Sequence, residues 1–224
     1  MSENKNKLQT LIPLIVAVLT PLFVIIFSVR LVTTPLMARI QYNLPGFPDD
    51  PYGFTKEERL EYSKPSILYL TNNAGIEYLA DLTFEDGTPI YNERELSHML
   101  DVKNLFTAIF NVWYGVTLVL GALLIWCHQT GKWVQFRKAL KTGGITTIGA
   151  LVAFGILTAI DFEWLFTQFH YIFFTGDTWL FKTSDTLIRL FPLPFWLIAM
   201  VLILALTLIF SALLIWQGNR VKEG

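Results

Sequence analysis

Apolar positions in this chain are gathered into four long runs, not spread at the spacing of a soluble core. The runs extend from about Leu11 to Val32, Leu105 to Cys127, Gly144 to Ile160 and Phe191 to Trp216. A helix needs about 20 apolar residues to cross a hydrocarbon layer of roughly 30 Å, so each run predicts a membrane span, the third being the shortest. Pro13 and Pro21 kink the first span without forbidding it, because neighbouring helices can satisfy the freed carbonyls. The expected fold class is an all-α polytopic membrane protein, a four-transmembrane-helix bundle with a small extracytoplasmic α+β cap.

Between the runs the polar pattern changes character. Residues 33–51 contain four prolines and read as an extended lead-in. Thr55 followed by Glu58 has the form of a capping box, which predicts an amphipathic helix starting near Lys56, disturbed at Pro65 and resuming through Leu70. Leu82 to Phe84 and Pro89 to Tyr91 flank Glu85-Asp86-Gly87-Thr88, the Asp-Gly signal of a β-hairpin. Asn92 with Glu95 marks a second helix start, and no breaker follows before the second span. The organisation expected is a tail and first span over 1–32, a cap and lead-in helix over 33–104, and a second span over 105–127. A basic loop over 128–143, a third span over 144–160, an interfacial segment over 161–190, and a fourth span with tail over 191–224 complete it.

Composition agrees with this pattern, with 53% hydrophobic and 16% charged residues. The net charge of -1 excludes nothing, but its distribution is informative. Lys132, Arg137, Lys138 and Lys141 lie between the second and third runs with no acid among them, and Lys5, Lys7, Arg220 and Lys222 flank the outer two runs. The positive-inside rule therefore puts both termini and this connection in the cytoplasm. The acid-rich residues 33–104 and the segment around His170 then face outward. The first run lacks a small-x-small cleavage site and reads as an uncleaved signal anchor. The only cysteine, Cys127, falls at the cytoplasmic end of the second span, which excludes both an intrachain disulfide and an outward-facing thioester mechanism.

Two of the three histidines fall on the outer side. His98 shares a helix face with Arg94 and Asp101, and an Asp one turn away is placed to accept a hydrogen bond from the imidazole. His170 lies in Asp161 to Phe181, the most aromatic stretch of the chain, where Phe162, Phe166, Phe169 and Phe173 fall at helical spacing and Gly176-Asp177 end the helix in a turn. Two imidazoles at headgroup depth suggest proton transfer at a lipid ester. The same pair with Asp101 or Asp177 is also a conceivable metal site, although no HxxxH or HExxH spacing supports one. An aromatic belt with incidental histidines is the bland alternative.

ELSHMLDVKNL at residues 95–105 and FHYIFFTGDTWLF at residues 169–181, in a chain of four spans, resemble the lipoprotein intramolecular transacylase (Lit) family of low-GC Gram-positive bacteria. The resemblance implies a membrane enzyme that moves the sn-2 acyl chain of a lipoprotein's diacylglyceryl-cysteine onto the α-amino group of the same cysteine. Its partners would be diacylated lipoproteins and membrane lipid, without nucleic acid, metal or cofactor, and it would be a monomer in the bacterial plasma membrane with its site at the outer leaflet. The two catalytic histidines it implies match His98 and His170. Asp101, Lys103 and Asp177 lie within the matched motifs without an assigned role. Arg94, Lys103 or Lys182 could place positive charge beside an oxyanion, and a nucleophile among Ser97, Thr167 and Thr175 would lack an elbow-type motif. Two rivals stay open: a zinc-dependent membrane hydrolase and a noncatalytic adaptor.

Overall fold

The computed structural model describes residues 2–220, with side chains from residue 11 onward. Lys222 and the side chains of Lys5 and Lys7 lie outside the described residues. Among those described there are nine α-helices and no strand: α1 (Ser2–Val32), α2 (Pro35–Tyr42), α3 (Lys56–Tyr69), α4 (Glu77–Ala80), α5 (Glu93–Gln129), α6 (Trp133–Ile160), α7 (Phe162–Phe173), α8 (Thr186–Leu190) and α9 (Leu193–Asn219). Four of them, over Leu11–Val32, Glu93–Gln129, Trp133–Ile160 and Leu193–Asn219, are long and apolar enough to cross a membrane. The helical membrane protein expected from the hydropathy pattern is therefore what the chain forms.

The chain divides into two compact units. The first comprises Met1–Val29, Phe110–Ala159 and Leu202–Gly224. Its buried hydroxyls are held mainly by their own helices, as an apolar surrounding requires: Thr20 donates to the Val16 carbonyl at 2.7 Å, Ser28 to Val24 at 2.9 Å and Thr147 to Gly143 at 2.7 Å. Phe27 stacks on Trp113 with centroids 6.0 Å apart and tilts against Phe210 at 5.2 Å, joining α1 to α5 and α9. The basic residues Arg137, Lys138 and Lys141 sit in the first turns of α6, not in a loop over 128–143, because the chain needs only a short stop. Gly131 takes φ +72°, and Lys132 N donates to the Cys127 carbonyl at 2.7 Å, a Schellman closure that lets α6 start at once.

Close helix approach in this unit depends on small residues. A Cβ added at Gly143 would stand 2.4 Å from Thr20 Cβ, and one at Gly144 would stand 2.9 Å from the Ser211 carbonyl oxygen. Gly143→Val is expected to cost roughly 1–3 kcal/mol through forced repacking. Gly149→Ala, whose added methyl meets nothing within 4 Å, should be neutral or slightly stabilising. Melting temperatures in detergent micelles check the contrast.

The second unit comprises Arg30–Ile109 and Ile160–Val201. Its core is built on Tyr42, Ile67, Tyr69, Leu79, Ile90, Tyr91, Leu187 and Leu190. The predicted capping box forms: Glu58 N donates to Thr55 Oγ1 at 3.2 Å while Thr55 N donates to Glu58 Oε2 at 2.7 Å. At the start of α5, Asn92 N donates to Glu95 Oε2 at 2.8 Å and Glu95 N to Asn92 Oδ1 at 3.1 Å. Asp50, with its carboxylate buried, receives Arg189 Nη2 at 2.9 Å and Phe54 N at 2.8 Å, fastening the loop before α3 to α8.

Three expectations need correction here. The α+β cap is helical: the Asp-Gly turn forms, with Gly87 at φ +82° and Phe84 N donating to the Thr88 carbonyl at 2.8 Å, but only one isolated bridge, Thr83 to Pro89, follows. Three residues on each arm with no third strand are too few to hold a sheet, and Ile90 turns into the helical core instead. The lead-in is not extended throughout, since Thr34 caps α2 and Pro35 occupies its first turn, where a missing N–H costs nothing. Nor does Pro65 interrupt α3, which runs through it from Lys56 to Tyr69.

Candidate active site

Helices α5 and α7 each bring one histidine to the same place. The His98 and His170 ring centroids are 5.9 Å apart with an interplanar angle of 21°, and each residue is 8% exposed. α7 has an inverted amphipathicity: its one buried residue is His170, while Trp164, Phe169, Tyr171, Ile172 and Phe173 are exposed. An apolar outer surface around a titratable inner group suits an element that meets lipid.

The pair is walled by aromatic rings. Phe166 lies 4.3 Å and Trp179 5.0 Å from the His170 ring, Phe181 lies 5.3 Å from that of His98, and Phe174 packs against both at 5.0 and 5.3 Å. Burial in this wall holds the His170 imidazole below the ordinary histidine value, although its bond to the Phe166 carbonyl works the other way. That bond also fixes the tautomer. His170 Nδ1 lies 2.7 Å from the Phe166 carbonyl oxygen, which can only accept, so Nδ1 carries the hydrogen and Nε2 presents a lone pair.

The elements behind His98 are equally fixed. Glu95, one turn earlier and 1% exposed, accepts from Asn92 N through one oxygen and from Leu187 N through the other at 2.6 Å, so one carboxylate caps α5 and joins it to α8. Arg94 Nη1 donates to the Leu180 carbonyl at 2.9 Å, between the two wall residues Trp179 and Phe181.

The sequence model of the family described as lipoprotein intramolecular transacylase Lit matches residues 14–196, most of the chain and both histidines. The chain belongs to the lipoprotein intramolecular transacylase family. An uncharacterized protein of Aquifex aeolicus (strain VF5) is 28% identical over 216 residues, covering 96% of this chain and 97% of its own. The membrane integral transacylase Lit from Bacillus cereus, solved in meso, superposes with a TM-score of 0.78 at 24% identity over 93% of each chain. A histidine-to-alanine variant of that protein gives 0.75 at 23% identity, over 97% of this chain and 94% of its own. These superpositions carry the fold.

Within this transacylase fold the other expected site residues are not gathered at the imidazoles. Asp101 does not orient His98, whose Nδ1 is buried with no hydrogen-bond partner among the described residues. Lys103 is turned to the cap, with Nζ 3.1 Å from Asn72 Oδ1, 2.5 Å from the Ala74 carbonyl and 3.9 Å from the Tyr69 ring centroid. Asp177 is exposed in the turn after α7, and Ser97, Thr175 and Lys182 are exposed as well. Among the described residues no group of three or more histidine, cysteine or carboxylate side chains comes together as a zinc site would need. Residue order marks Glu95 only as part of a helix start, and it does not mark Phe174, Trp179 and Phe181 as joining Phe166 in a wall around the imidazoles. The density of aromatics around FHYIFFTGDTWLF was the available signal for the wall.

Proposed function

We propose that this membrane acyltransferase moves the sn-2 acyl chain of a diacylglyceryl-cysteine to the α-amino group of the same residue, with His170 as base and His98 as proton donor. Ester and amine are held on one cysteine, so the entropic part of the barrier is largely met and the protein has mainly to orient them and move protons. The amine nitrogen forms a bond to the ester carbonyl carbon, His170 Nε2 takes its proton, and the bond to the glycerol oxygen breaks as that oxygen receives a proton from neutral His98, which the proton taken by His170 replaces, so both imidazoles end neutral. The products are an N-acylated cysteine and a free sn-2 hydroxyl. The observation that carries this reading is the facing imidazole pair with His170 Nδ1 committed to the Phe166 carbonyl, which leaves Nε2 free to accept. Lys132 in the connection between α5 and α6, with Arg137, Lys138 and Lys141 in the first turns of α6, supports a cytoplasmic position for that end of α5 and an outer-leaflet position for His98.

Tandem mass spectrometry of a reporter lipoprotein tests the reaction. Total mass should stay constant while the N-terminal fragment gains one acyl chain, and a chain that stays on glycerol refutes the reading. Exhaustive chelation should leave the rate unchanged; loss that zinc restores would favour the metal-dependent hydrolase chemistry instead.

The pH profile follows from the two titrating partners. An α-amino group of pKa about 7.7–8.0 must lose its proton to attack, so the logarithm of the rate should fall with slope one below that range. An ordinary histidine base would steepen it to two at about 6.5. Because burial lowers His170, it stays neutral further into acid, and the second break should lie below that point. Rate measurements across the acid range locate it.

A further inference from the structure

Beside the imidazoles, Trp179 Nε1 as well as His98 Nδ1 is buried without a hydrogen-bond partner among the described residues. An indole N–H can only donate, and burying a donor with no acceptor is unfavourable, so each such group asks for a reason. The indole is held firmly. Its ring lies 5.0 Å from His170 at 37° and is braced edge-on by Tyr171 at 5.1 Å and 89°. The backbone beside it is pinned by Leu180 N donating to the Asp177 carbonyl at 3.0 Å and by Arg94 on the Leu180 carbonyl. This is a rigid, pre-set donor next to the histidine that carries the free lone pair.

We propose that the Trp179 indole N–H binds the ester carbonyl oxygen and stabilises the oxyanion formed on it. The inference rests on the site described under the proposed function. As the amine nitrogen bonds to the carbonyl carbon, the carbonyl π pair moves to oxygen, and the indole donates a hydrogen bond to that oxygen without giving up its proton. The pair returns to re-form the carbonyl when the bond to the glycerol oxygen breaks and that oxygen takes the His98 proton. Donors aimed at developing charge act on kcat more than on ground-state binding.

Trp179→Phe keeps a ring against His170 and Tyr171 and removes the N–H. Its kcat should fall about 10²–10³-fold, the loss typical of one oxyanion donor, with KM and the position of the acid break in the pH profile unchanged. A parental kcat in Trp179→Phe overturns the inference. If the variant also loses thermal stability, replacement of Trp179 by benzothienylalanine, which preserves the bicyclic shape with sulfur in place of N–H, decides: a low rate supports the donor role and a parental rate overturns it. His170→Ala measured in the same assay separates the two levels. Full transfer by His170→Ala refutes the underlying site, whereas an inactive His170→Ala beside a fully active Trp179→Phe refutes only the indole's role.

Discussion

His170→Ala is expected to lower acyl transfer by about 10²–10⁴-fold, the range usual for loss of a positioned acid or base. The effect should be on the chemical step, because the reacting ester and amine are already joined through the substrate and the base is the group that lets a neutral amine collapse onto the carbonyl. Its tautomer is set by the Phe166 carbonyl of the same helix, so no other side chain is needed to keep Nε2 unprotonated and aimed. His98→Ala should give a loss of the same order through the departing glycerol oxygen. Removal of either ring leaves a gap in an aromatic wall, so added imidazole should restore part of the rate in His170→Ala. Tandem mass spectrometry of the reporter reads both variants, and parental transfer by both would show that the reaction is carried elsewhere.

Glu95→Ala is expected to destabilise the second unit by roughly 1–3 kcal/mol, because it leaves the buried Leu187 N–H without an acceptor, and by up to about 1 kcal/mol more through loss of the cap on the exposed Asn92 N–H. Glu95→Gln keeps one acceptor oxygen but presents an amide donor to the other N–H, and it should fall between Ala and the parent. Thermal unfolding in detergent micelles gives the order. Because α5 carries His98 one turn beyond Glu95, activity should decline with the loss of the α5 to α8 tie, while the acid break of the pH profile stays where His170 sets it. A shifted break would mean that Glu95 takes part in proton transfer, and an unchanged melting temperature would refute its structural role.

Neither prediction has the same standing in the sequence. The imidazole pair could be anticipated because each histidine sits in an aromatic or capped helix that the distribution of cations leads one to expect on one side of the membrane. Their orientation could not: Asp101 is the natural partner for His98 by spacing, yet a carbonyl four residues back orients His170, and His98 Nδ1 has no hydrogen-bond partner among the described residues. Main-chain acceptors leave no mark in a side-chain pattern. Glu95 shows the same limit from the other direction, since its capping role is a three-residue relation while its second bond reaches Leu187, 92 residues away.

Spans, caps and helix starts were readable from residue order because each depends on neighbours within one or two turns: runs of apolar residues, Thr55 with Glu58, Asn92 with Glu95. Packing in space settled the helical character of the cap, the tie from α5 to α8 and the aromatic wall around the histidines. A three-residue hairpin arm has too little ladder energy to survive competition with a helical core, and the burial of two distant imidazoles against each other is a property of assembled helices, not of either helix alone.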